Sequence, residues 1–200
     1  VPFVINGKRI KSINHEYNKR KGKLQSVLEL RNGVKSSKRL HRITQKRDNR
    51  INDYLHKASR YIVNQLIVSG INTLIVGKNT GWKQDINIGK VNNQVFVEIP
   101  HARLINMLAY KCSLVGINMI IQEEGYTSKC SFLDGEEICK HDVYMGKRIH
   151  RGLFRSASGR LINADVNGAY NILRKCKPNA FIGNGVTGVV VHPVIIKITD

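Results

Sequence analysis

The sequence predicts an α/β protein, because segments with two different hydrophobic periods alternate along it. Residues 71–76 (INTLIV) and 117–122 (INMIIQ) are short and rich in β-branched or other apolar residues, which predicts strands. Between them, residues 101–115 have apolar positions at helical spacing. Strand, helix and strand in this order are typical of a βαβ unit with a parallel pair of strands. The chain has 200 residues and is 42% hydrophobic, which is enough to bury a core in one domain with appendages.

The chain is strongly basic. Its 33 Lys and Arg against 14 Asp and Glu give a formal net charge of +19, which predicts attraction to a polyanion, nucleic acid first. The sequence has neither a signal-peptide pattern nor an apolar run of about 18 residues. We therefore expect a cytoplasmic, nucleoid-associated protein with reduced cysteines, no membrane contact and no small-molecule substrate. The first residue, Val1, is not Met, which suggests a fragment or a processed product.

Two basic helices are predicted near the start. The first runs from an N-cap at about Ser12 to Leu30 and stops at Gly33, with an apolar face of Leu24, Val27 and Leu28. The second runs from Ser36 or Ser37 to Ser69 and ends at Gly70; its apolar positions are Leu40, Ile43, Ile51, Tyr54, Leu55, Ala58, Ile62 and Leu66. Between Lys8 and Arg60 there are 17 basic residues and four acids, which favours phosphate contacts over a merely solvated surface.

The predicted βαβ unit follows these helices. Its first strand, Ile71 to Val76, is expected to be buried on both faces and to end at Gly77. Pro100 opens the helix, which stops at Gly116 and has a core stripe of Leu104, Met107, Leu108 and Leu114. The second strand, Ile117 to Gln122, places Glu123 and Glu124 at the carboxyl ends of the strands, where ligands gather in parallel sheets.

A third acid, Asp165, opens a short amphipathic helix in INADVNGAYNILRK, residues 162–175. The helix is expected to pack on the sheet through one face, formed by Val166, Ala169, Tyr170 and Leu173. Asp165 could then reach the edge at which the two glutamates lie.

Such convergence would suit phosphodiester hydrolysis. Two Mg²⁺ ions about 4 Å apart need carboxylate ligands, with roughly 4 to 8 Å between the carboxyl groups. The alternative is that Asp165 only complements the helix dipole and that Glu123 and Glu124 are surface acids at a strand end.

Seven words of the sequence carry a resemblance to a known family. They are INHEYNKRKGKLQS (13–26), YLHKASRYIV (54–63), LIVGKNTGWKQD (74–85), FVEIPHARLINML (96–108), EEGYTSKCSFLDGE (123–136), RIHRGLFRSASGRLINADVNGAYNILRK (148–175) and GVVVHPV (188–194). In this order they resemble the C-terminal half of the TnpB/OrfB proteins of bacterial insertion sequences, in the branch abundant in cyanobacteria. These transposases are relatives of the type V CRISPR effectors.

The resemblance implies an α/β chain with a partial RNase H-like (RuvC) fold, a basic helical hairpin and a small inserted target-nucleic-acid module. It divides the chain into four parts: an edge strand and the hairpin (1–70), the βαβ core (71–125), the module (126–160), and the C-terminal helix and tail (161–200). The implied activity is RNA-guided cutting of DNA with Mg²⁺, and the implied partners are target DNA and a guide RNA from the transposon end. The alternatives are a catalytically inactive nucleic-acid-binding derivative or regulator and, third, a basic ribosomal-type structural protein.

The resemblance also assigns catalytic residues. Asp165, in ADVNGAYNI, matches the family's last catalytic Asp, and the usual second acid is a Glu at the position of Gly77. Some branches use a Glu just before the TSK word instead; Glu124 matches that place best, and Glu123 is the alternative. Asp165 and Glu124 would thus be the Mg²⁺ ligands. The first catalytic Asp belongs to a strand upstream of FVINGKRIKSIN that these 200 residues do not contain, so the chain alone is expected to be inactive.

The segment between Glu124 and Asp165 occupies the place of the family's zinc-binding module. Zinc there is usually held by two CxxC pairs, whereas this chain has only Cys130, Cys139, His141 and His150. We expect no zinc, with Cys130 as a small core residue.

The basic residues expected to touch nucleic acid lie in the hairpin and in the module: Lys19, Arg20, Lys21, Lys38, Arg39, Arg42, Lys46, Arg47, Lys129, Lys147, Arg148 and Arg151. Four aromatic residues of the module are expected to stack on bases: Tyr126, Phe132, Tyr144 and Phe154. The alternative is a solvated basic loop around a small aromatic core.

Overall fold

The computed structural model describes residues 2–34, 36–79, 100–181 and 192–198. They divide into two compact units: a helical unit of residues 5–70, 100–115 and 197–198, and a sheet unit of residues 2–4, 71–79, 116–181 and 192–196. Parts of three of the matching words, residues 80–85, 96–99 and 188–191, lie outside the described residues. Within the described ranges, no helix is both long and apolar enough to cross a membrane.

The long helix of the helical unit agrees with its prediction. Helix α2 spans Lys38–Val68, and the Leu40 N–H donates to the hydroxyl of its N-cap, Ser37, at 3.1 Å. Its buried residues include most of the predicted apolar positions. Val63, which the prediction omitted, is fully buried. A helix of this amphipathic period needs a partner on its apolar side, and α2 packs against the two other described helices of the unit.

The first helix begins earlier than predicted. Helix α1 spans Lys8–Asn32 and follows Gly7, which provides no side-chain cap. Ser12 is therefore inside the helix, where its hydroxyl donates to the Lys8 carbonyl at 3.1 Å. The predicted stop at Gly33 is confirmed by its left-handed conformation.

The apolar face of α1 was also placed wrongly. Val27 is exposed, and Leu24 and Leu28 are only partly buried. The buried positions are Ile10 and Ile13, in the first two turns, because these are the residues that join the core formed with α2.

Helix α3 spans His101–Leu114, as predicted, and packs against α2. It contributes Met107 to a core with Ile10, Ile13, Ile51, Tyr54, Leu55 and Ala58. Leu114, expected in the core stripe, is 74% exposed because it is the last residue of the helix, beyond the last buried position at Cys112. The predicted 71–125 core is thus divided, with its helix in the helical unit and its strands in the sheet unit.

The parallel pair of strands is confirmed. Strand β2 spans Thr73–Gly77 and strand β3 spans Asn118–Gln122, and they pair in parallel from Thr73↔Asn118 to Gly77↔Gln122. Every residue of β2 is half-buried, so the expectation of a strand buried on both faces is wrong. Among the described residues, β2 and β3 pair only with each other.

The remaining described strands form two further small sheets. Strand β1 (Phe3–Ile5) pairs with β7 (Val194–Ile196). Strands β4 (Lys147–His150), β5 (Leu153–Arg155) and β6 (Leu161–Asn163) form an antiparallel sheet in that order. The sheet that begins in the inserted module therefore continues to Asn163, and the whole is a mixed α/β fold.

The last helix, α4, spans Ala164–Cys176 and is followed by a short 3-10 helix, Pro178–Phe181. It packs against β2, β3, β5 and β6. A second core surrounds its first turns and is formed by Phe132, Leu133, Phe154, Ile162, Ala164 and Val166, with Tyr170 and Phe181 at its border. Phe132 stacks on Tyr170 with 4.8 Å between ring centroids.

A buried lysine in the helical unit generates a stability prediction. The Lys111 ammonium donates to the His56 carbonyl at 2.8 Å and to the Ser59 hydroxyl at 2.7 Å. Burial, and then the charge of Arg60, lower the pKa of Lys111. Since the unfolded chain then binds more protons than the folded one, the free energy of unfolding should rise with pH from the lowered pKa up to the ordinary value of about 10.4.

We expect Lys111→Met to remove this rise and to leave stability at pH 7 unchanged or higher by about 1 kcal/mol, because a buried charge without a carboxylate partner is replaced by an apolar side chain of similar length. Urea unfolding of both proteins from pH 7 to 10 measures the difference. A marked destabilisation at neutral pH would show that the two hydrogen bonds outweigh the cost of burying the charge.

A glycine of the inserted module generates the second prediction. A Cβ on Gly146 would lie 2.5 Å from Phe154 Cε1 and 2.9 Å from the Arg155 carbonyl oxygen. Phe154 is buried and the carbonyl is backbone, so neither can move freely, and Gly146→Ala should cost about 1 to 3 kcal/mol. Gly168→Ala is the control: its Cβ meets nothing within 4 Å, and alanine in a helix should stabilise by up to about 1 kcal/mol. Thermal unfolding compares the two.

Candidate metal and nucleic-acid site

Glu124 lies against the end of the neighbouring strand. It follows β3 by two residues, and its backbone N–H donates to Asn79 Oδ1, just after β2, at 3.1 Å. A Cβ on Gly77 would lie 2.7 Å from Glu124 Oε2 and 2.6 Å from Cδ1 of Ile172 on α4. The carboxylate of Glu124 therefore fills the space that a side chain at position 77 would need.

The surroundings of Glu124 would favour the binding of a cation. Burial raises the pKa of Glu124, and the neighbouring negative charge of Glu123 raises it further. Within the described part of the chain, no Lys or Arg forms an ion pair with this carboxylate. A partly buried carboxylate without a cation is costly, and a bound divalent ion would offset that cost.

Glu123 has a different environment. Its carboxylate accepts a hydrogen bond from the Lys175 ammonium and another from the Gly125 N–H at 2.5 Å. The hydrogen bond from Lys175 is the main reason that the pKa of Glu123 is lowered. Because this carboxylate already has a cation, Glu124 is the better candidate for a metal ligand.

Asp165 is exposed in the first turn of α4. Its side chain is 67% exposed, and Nη2 of Arg148 on β4 lies 3.9 Å from its Oδ1. The preceding residue but one, Asn163, caps the helix: its Oδ1 accepts the N–H groups of Asp165 at 2.9 Å and Val166 at 3.2 Å. The cap fixes the start of α4, so Asp165 is held at the mouth of the helix, as predicted. Asparagine directly before the ADVN word is a signal from which this cap could have been found.

A cleft of about 400 Å³ adjoins Asp165 and has mostly apolar walls. Its lining comes from the first strand and from one side of α4: Pro2, Phe3, Val4, Asp165, Val166, Ala169 and Tyr170. Asp165 is its acidic member. An exposed carboxylate at the rim of a cleft can meet a ligand without first breaking a buried hydrogen bond.

The face through which α4 packs agrees only in part with the predicted one. Val166 is buried and Tyr170 borders the core, as predicted, but Ala169 is exposed, and the completely buried residues include Asn167 and Asn171, which the prediction omitted. The buried side is set by the loop of residues 127–132, whose backbone groups bond to the two amides. Hydrophobic spacing alone could not reveal this, because both asparagines count as polar in such a pattern.

The zinc-ligand candidates of the module, Cys130, Cys139 and His141, form local hydrogen bonds. The Cys130 thiol is buried and donates to the Cys139 carbonyl at 3.6 Å, and Cys139 Sγ lies 3.4 Å from His141 Nε2. In the described ranges, no three His, Cys, Asp or Glu side chains come together as a group that could hold a metal ion. The expectation that Cys130 is a core residue is confirmed by its burial.

A buried carboxylate connects the loops of the module instead. Glu136 Oε2 accepts the Ser131 N–H at 2.6 Å, and its Oε1 accepts the Met145 N–H at 2.8 Å. Asp134 likewise accepts the Ser131 hydroxyl at 2.5 Å and the Ala157 N–H at 2.7 Å. These bonds join the segments of the module around Ser131, Met145 and Ala157.

Most of the predicted nucleic-acid-binding residues are exposed. The exposed members are Lys19, Arg20, Lys38, Arg39, Arg42, Lys46, Lys129, Lys147, Arg148 and Arg151, and Lys21 and Arg47 are half-buried. Arg47 is the least available, since it donates to Asn14 Oδ1 at 2.9 Å and to Asp48 Oδ1 at 2.7 Å. Arg20 forms an ion pair with Glu16 at 2.7 Å.

The predicted stacking residues separate into two classes. Phe132 and Phe154 are buried in the core of the sheet unit and cannot stack on a base, so that part of the expectation is wrong. Tyr126 is exposed, and Tyr144 is half-buried with the Lys129 ammonium 5.8 Å from its ring centroid. These two tyrosines remain candidates for contact with nucleic acid.

Comparison with known proteins gives matches over most of the chain. A family model described as a probable transposase, OrfB_IS605, matches residues 2–83, and one described as the TNB domain of Cas12f1-like proteins matches residues 101–172. No curated protein matches the chain.

Among solved structures, the chain is similar to a chain in the cryo-EM structure of the Cas12f1-sgRNA-target DNA complex, with 18% identity and a TM-score of 0.54. The match covers 79% of this chain and 41% of that chain, so this sequence spans about two-fifths of the length of its structural relative. At this level of identity the likeness concerns the fold. The two family models match in the same order along the chain as the sequence words, and together they identify the chain as a member of the TnpB/OrfB family of transposases.

Proposed function

We propose that the chain contributes a RuvC-like catalytic site and a target-nucleic-acid module to an RNA-guided DNA endonuclease. The observation that carries the proposal is the position of Glu124, whose carboxylate fills the space beside Gly77 at the end of β2. Glu124, which follows β3, would thus supply the carboxylate that the family usually has at the position of Gly77, at the end of β2. Glu124 and Asp165 are the proposed Mg²⁺ ligands, and Glu123 supports the site through its ion pair with Lys175.

The donors are of the kind that Mg²⁺ prefers. Carboxylate oxygens are hard ligands, and Mg²⁺ usually keeps several waters while it binds one or two carboxylates and the phosphate of its substrate. When bound, the ion supplies charge stabilisation and an activated water for phosphodiester hydrolysis. The chain itself contributes Glu124, held by Asn79, and Asp165, held by the Asn163 cap. A separation of roughly 4 to 8 Å between their carboxyl groups stays a prediction.

The proposed partners are a target DNA and a guide RNA. The exposed residues of the helical unit that have no acidic partner among the described residues are Lys19, Lys38, Arg39, Arg42 and Lys46. Such residues can pair with phosphates without breaking an existing ion pair. The relative whose structure is similar is titled as a complex with both an sgRNA and target DNA, which supports partners of the same two kinds.

Metal binding tests the proposed ligands. Because each carboxylate supplies direct bonds to the ion, Asp165→Asn and Glu124→Gln should each weaken Mn²⁺ binding by about tenfold or more, as measured by electron paramagnetic resonance. Asp142→Asn and Glu137→Gln remove exposed acids elsewhere in the module and should leave the affinity unchanged. Equal affinities in all five proteins would contradict the assignment and favour the alternative of a catalytically inactive nucleic-acid-binding derivative.

An exchange variant sharpens this test. If Glu124 replaces a carboxylate that could come from β2, Gly77→Glu combined with Glu124→Gly should recover much of the Mn²⁺ affinity that Glu124→Gly alone loses. The second substitution removes the carboxylate that a side chain at position 77 would meet, and the other close atom is the flexible end of Ile172.

A polypeptide of these 200 residues should leave DNA uncut in Mg²⁺, because they contain no counterpart of the family's first catalytic Asp. Cleavage that survives Asp165→Asn would place the chemistry elsewhere.

Salt dependence tests the phosphate contacts. Log K for duplex DNA decreases with log salt with a slope of about −0.9 per phosphate contact, because each contact releases a counterion. A Lys38→Gln/Arg39→Gln variant, which loses two contacts, should therefore have a slope that is less negative by nearly two units. Arg50→Gln/Lys57→Gln removes the same charge from residues paired with Glu16 and Asp53, and its slope should change less. Equal changes in both variants would mean that net charge, and no particular contact, governs binding.

A further inference from the structure

A line of buried polar side chains runs along one side of α4. Asn167 and Asn171 are fully buried and one helical turn apart, and Arg174 continues the line. Burying an amide is unfavourable unless its hydrogen bonds are made. Here they are made with backbone groups of a distant loop: Asn167 Oδ1 accepts the Phe132 N–H at 2.9 Å and its Nδ2 donates to the Cys130 carbonyl at 2.9 Å.

Asn171 reaches the part of that loop nearest to Glu124. Its Nδ2 donates to the Thr127 carbonyl at 2.9 Å and to the Cys130 carbonyl at 2.8 Å. Thr127 is itself buried, and it bonds back to Glu124 twice: its hydroxyl donates to the Glu124 carbonyl at 2.8 Å and its N–H donates to the same carbonyl at 3.2 Å. Two consecutive sets of hydrogen bonds therefore connect the helix that carries Asp165 to the backbone of Glu124.

The loop between the two ends of this connection has an unusual backbone. Tyr126 has a φ of 65°, the left-handed region that costs a bulky residue free energy. Its carbonyl accepts the N–H groups of Lys129 at 2.9 Å and Cys130 at 3.1 Å. A strained residue persists only when its surroundings determine its conformation, so the loop that follows Glu124 has one defined shape.

We infer that Asn171 and Thr127 are positioning residues that fix the distance between the carboxylates of Glu124 and Asp165. The inference rests on the proposed function, because it assigns these two acids to one metal site. Neither residue would touch the ion. Asn171 follows Asp165 by six residues in a rigid helix, so its hydrogen bond to Thr127 carries the position of that helix to the strand end where Glu124 lies.

The reason such a connection matters is geometric. Metal ligands from separate elements must be held within about 0.5 Å of their working positions, and partners of the ligands commonly change metal affinity by about 10- to 100-fold. Glu124 and Asp165 come from a strand end and from a helix start that lie far apart in sequence. The Asn79 contact fixes Glu124 to β2. Its position relative to α4 depends on the bonds through Thr127 and on the bond from Lys175 of α4 to the neighbouring Glu123.

The test compares variants that differ in whether they break this connection. Thr127→Val is nearly isosteric and removes the hydroxyl, while Thr127→Ser keeps it. We expect Thr127→Val to weaken Mn²⁺ binding by about tenfold and Thr127→Ser to bind Mn²⁺ about as tightly as the wild-type chain. Asn171→Leu should also weaken binding. Asn167→Leu is the matched control: it removes a buried amide from the same helix, which lowers stability, yet Asn167 has no bond to Thr127 and the Mn²⁺ affinity should hold.

The outcomes separate this inference from the proposed function. If the wild-type chain binds Mn²⁺ through Glu124 and Asp165 but Thr127→Val and Asn171→Leu bind it equally well, the positioning role is overturned and the metal site stands. If the wild-type chain binds no Mn²⁺, the metal site falls, and a second measurement decides the positioning role.

That measurement uses the metal-free protein. In NMR spectra, the backbone amide chemical shifts of Glu124 and Gly125 should change in Thr127→Val and should keep their wild-type values in Thr127→Ser. Thr127→Val leaves no unpaired buried donor, so it should fold. The Asn167→Leu control should move resonances of residues 130–132 and leave those of Glu124 and Gly125 in place. Unchanged Glu124 and Gly125 resonances in Thr127→Val would overturn the inference, whatever the metal does.

Discussion

The sheet unit depends on hydrogen bonds between two side-chain amides and the backbone of one loop. Leaving such a bond unmade in a buried place costs about 1 to 3 kcal/mol, which is a large part of the stability of a small domain. Asn167 and Asn171 can be satisfied only if the loop of residues 127–132 lies along α4. Once it does, the aromatic core around Phe132 closes over Ala164 and Val166 in the first turn of the helix, and Asp165 in the same turn stays exposed.

The sequence predicted best those elements whose signals are local. Helix α2 has an amphipathic period over its whole length and a serine cap, so both ends could be placed. Helix α1 has no side-chain cap, and its buried positions, Ile10 and Ile13, form a core with residues more than thirty positions away. Two buried positions near one end of a helix do not form a recognisable apolar period, so the pattern pointed to Leu24 and Leu28 as the apolar face instead of Ile10 and Ile13.

The candidate site shows the same limit. The start of α4 could be predicted because caps and first-turn acids are local features, and the family resemblance identified Asp165 within it. Spacing after the strand does not distinguish Glu123 from Glu124, and the preference for Glu124 came from the family word. The ion pair that Lys175 on α4 forms with Glu123 supports that preference, and such a long-range contact is not visible in the sequence. The burial of Asn167 and Asn171 was equally hidden, because a polar residue is recognised as buried only when its distant partner is known.

Neither unit of the protein is a continuous stretch of chain. The helical unit takes its described residues from 5–70, 100–115 and 197–198, and the sheet unit takes its own from the segments in between and at the start. A truncation within residues 5–196 therefore removes part of both units. Each unit forms only when segments that are distant in sequence come together, and the loop entropy that is lost in this step slows folding. To obtain either unit alone, its separate segments would have to be joined by new linkers, because neither a single deletion nor a circular permutation makes it continuous.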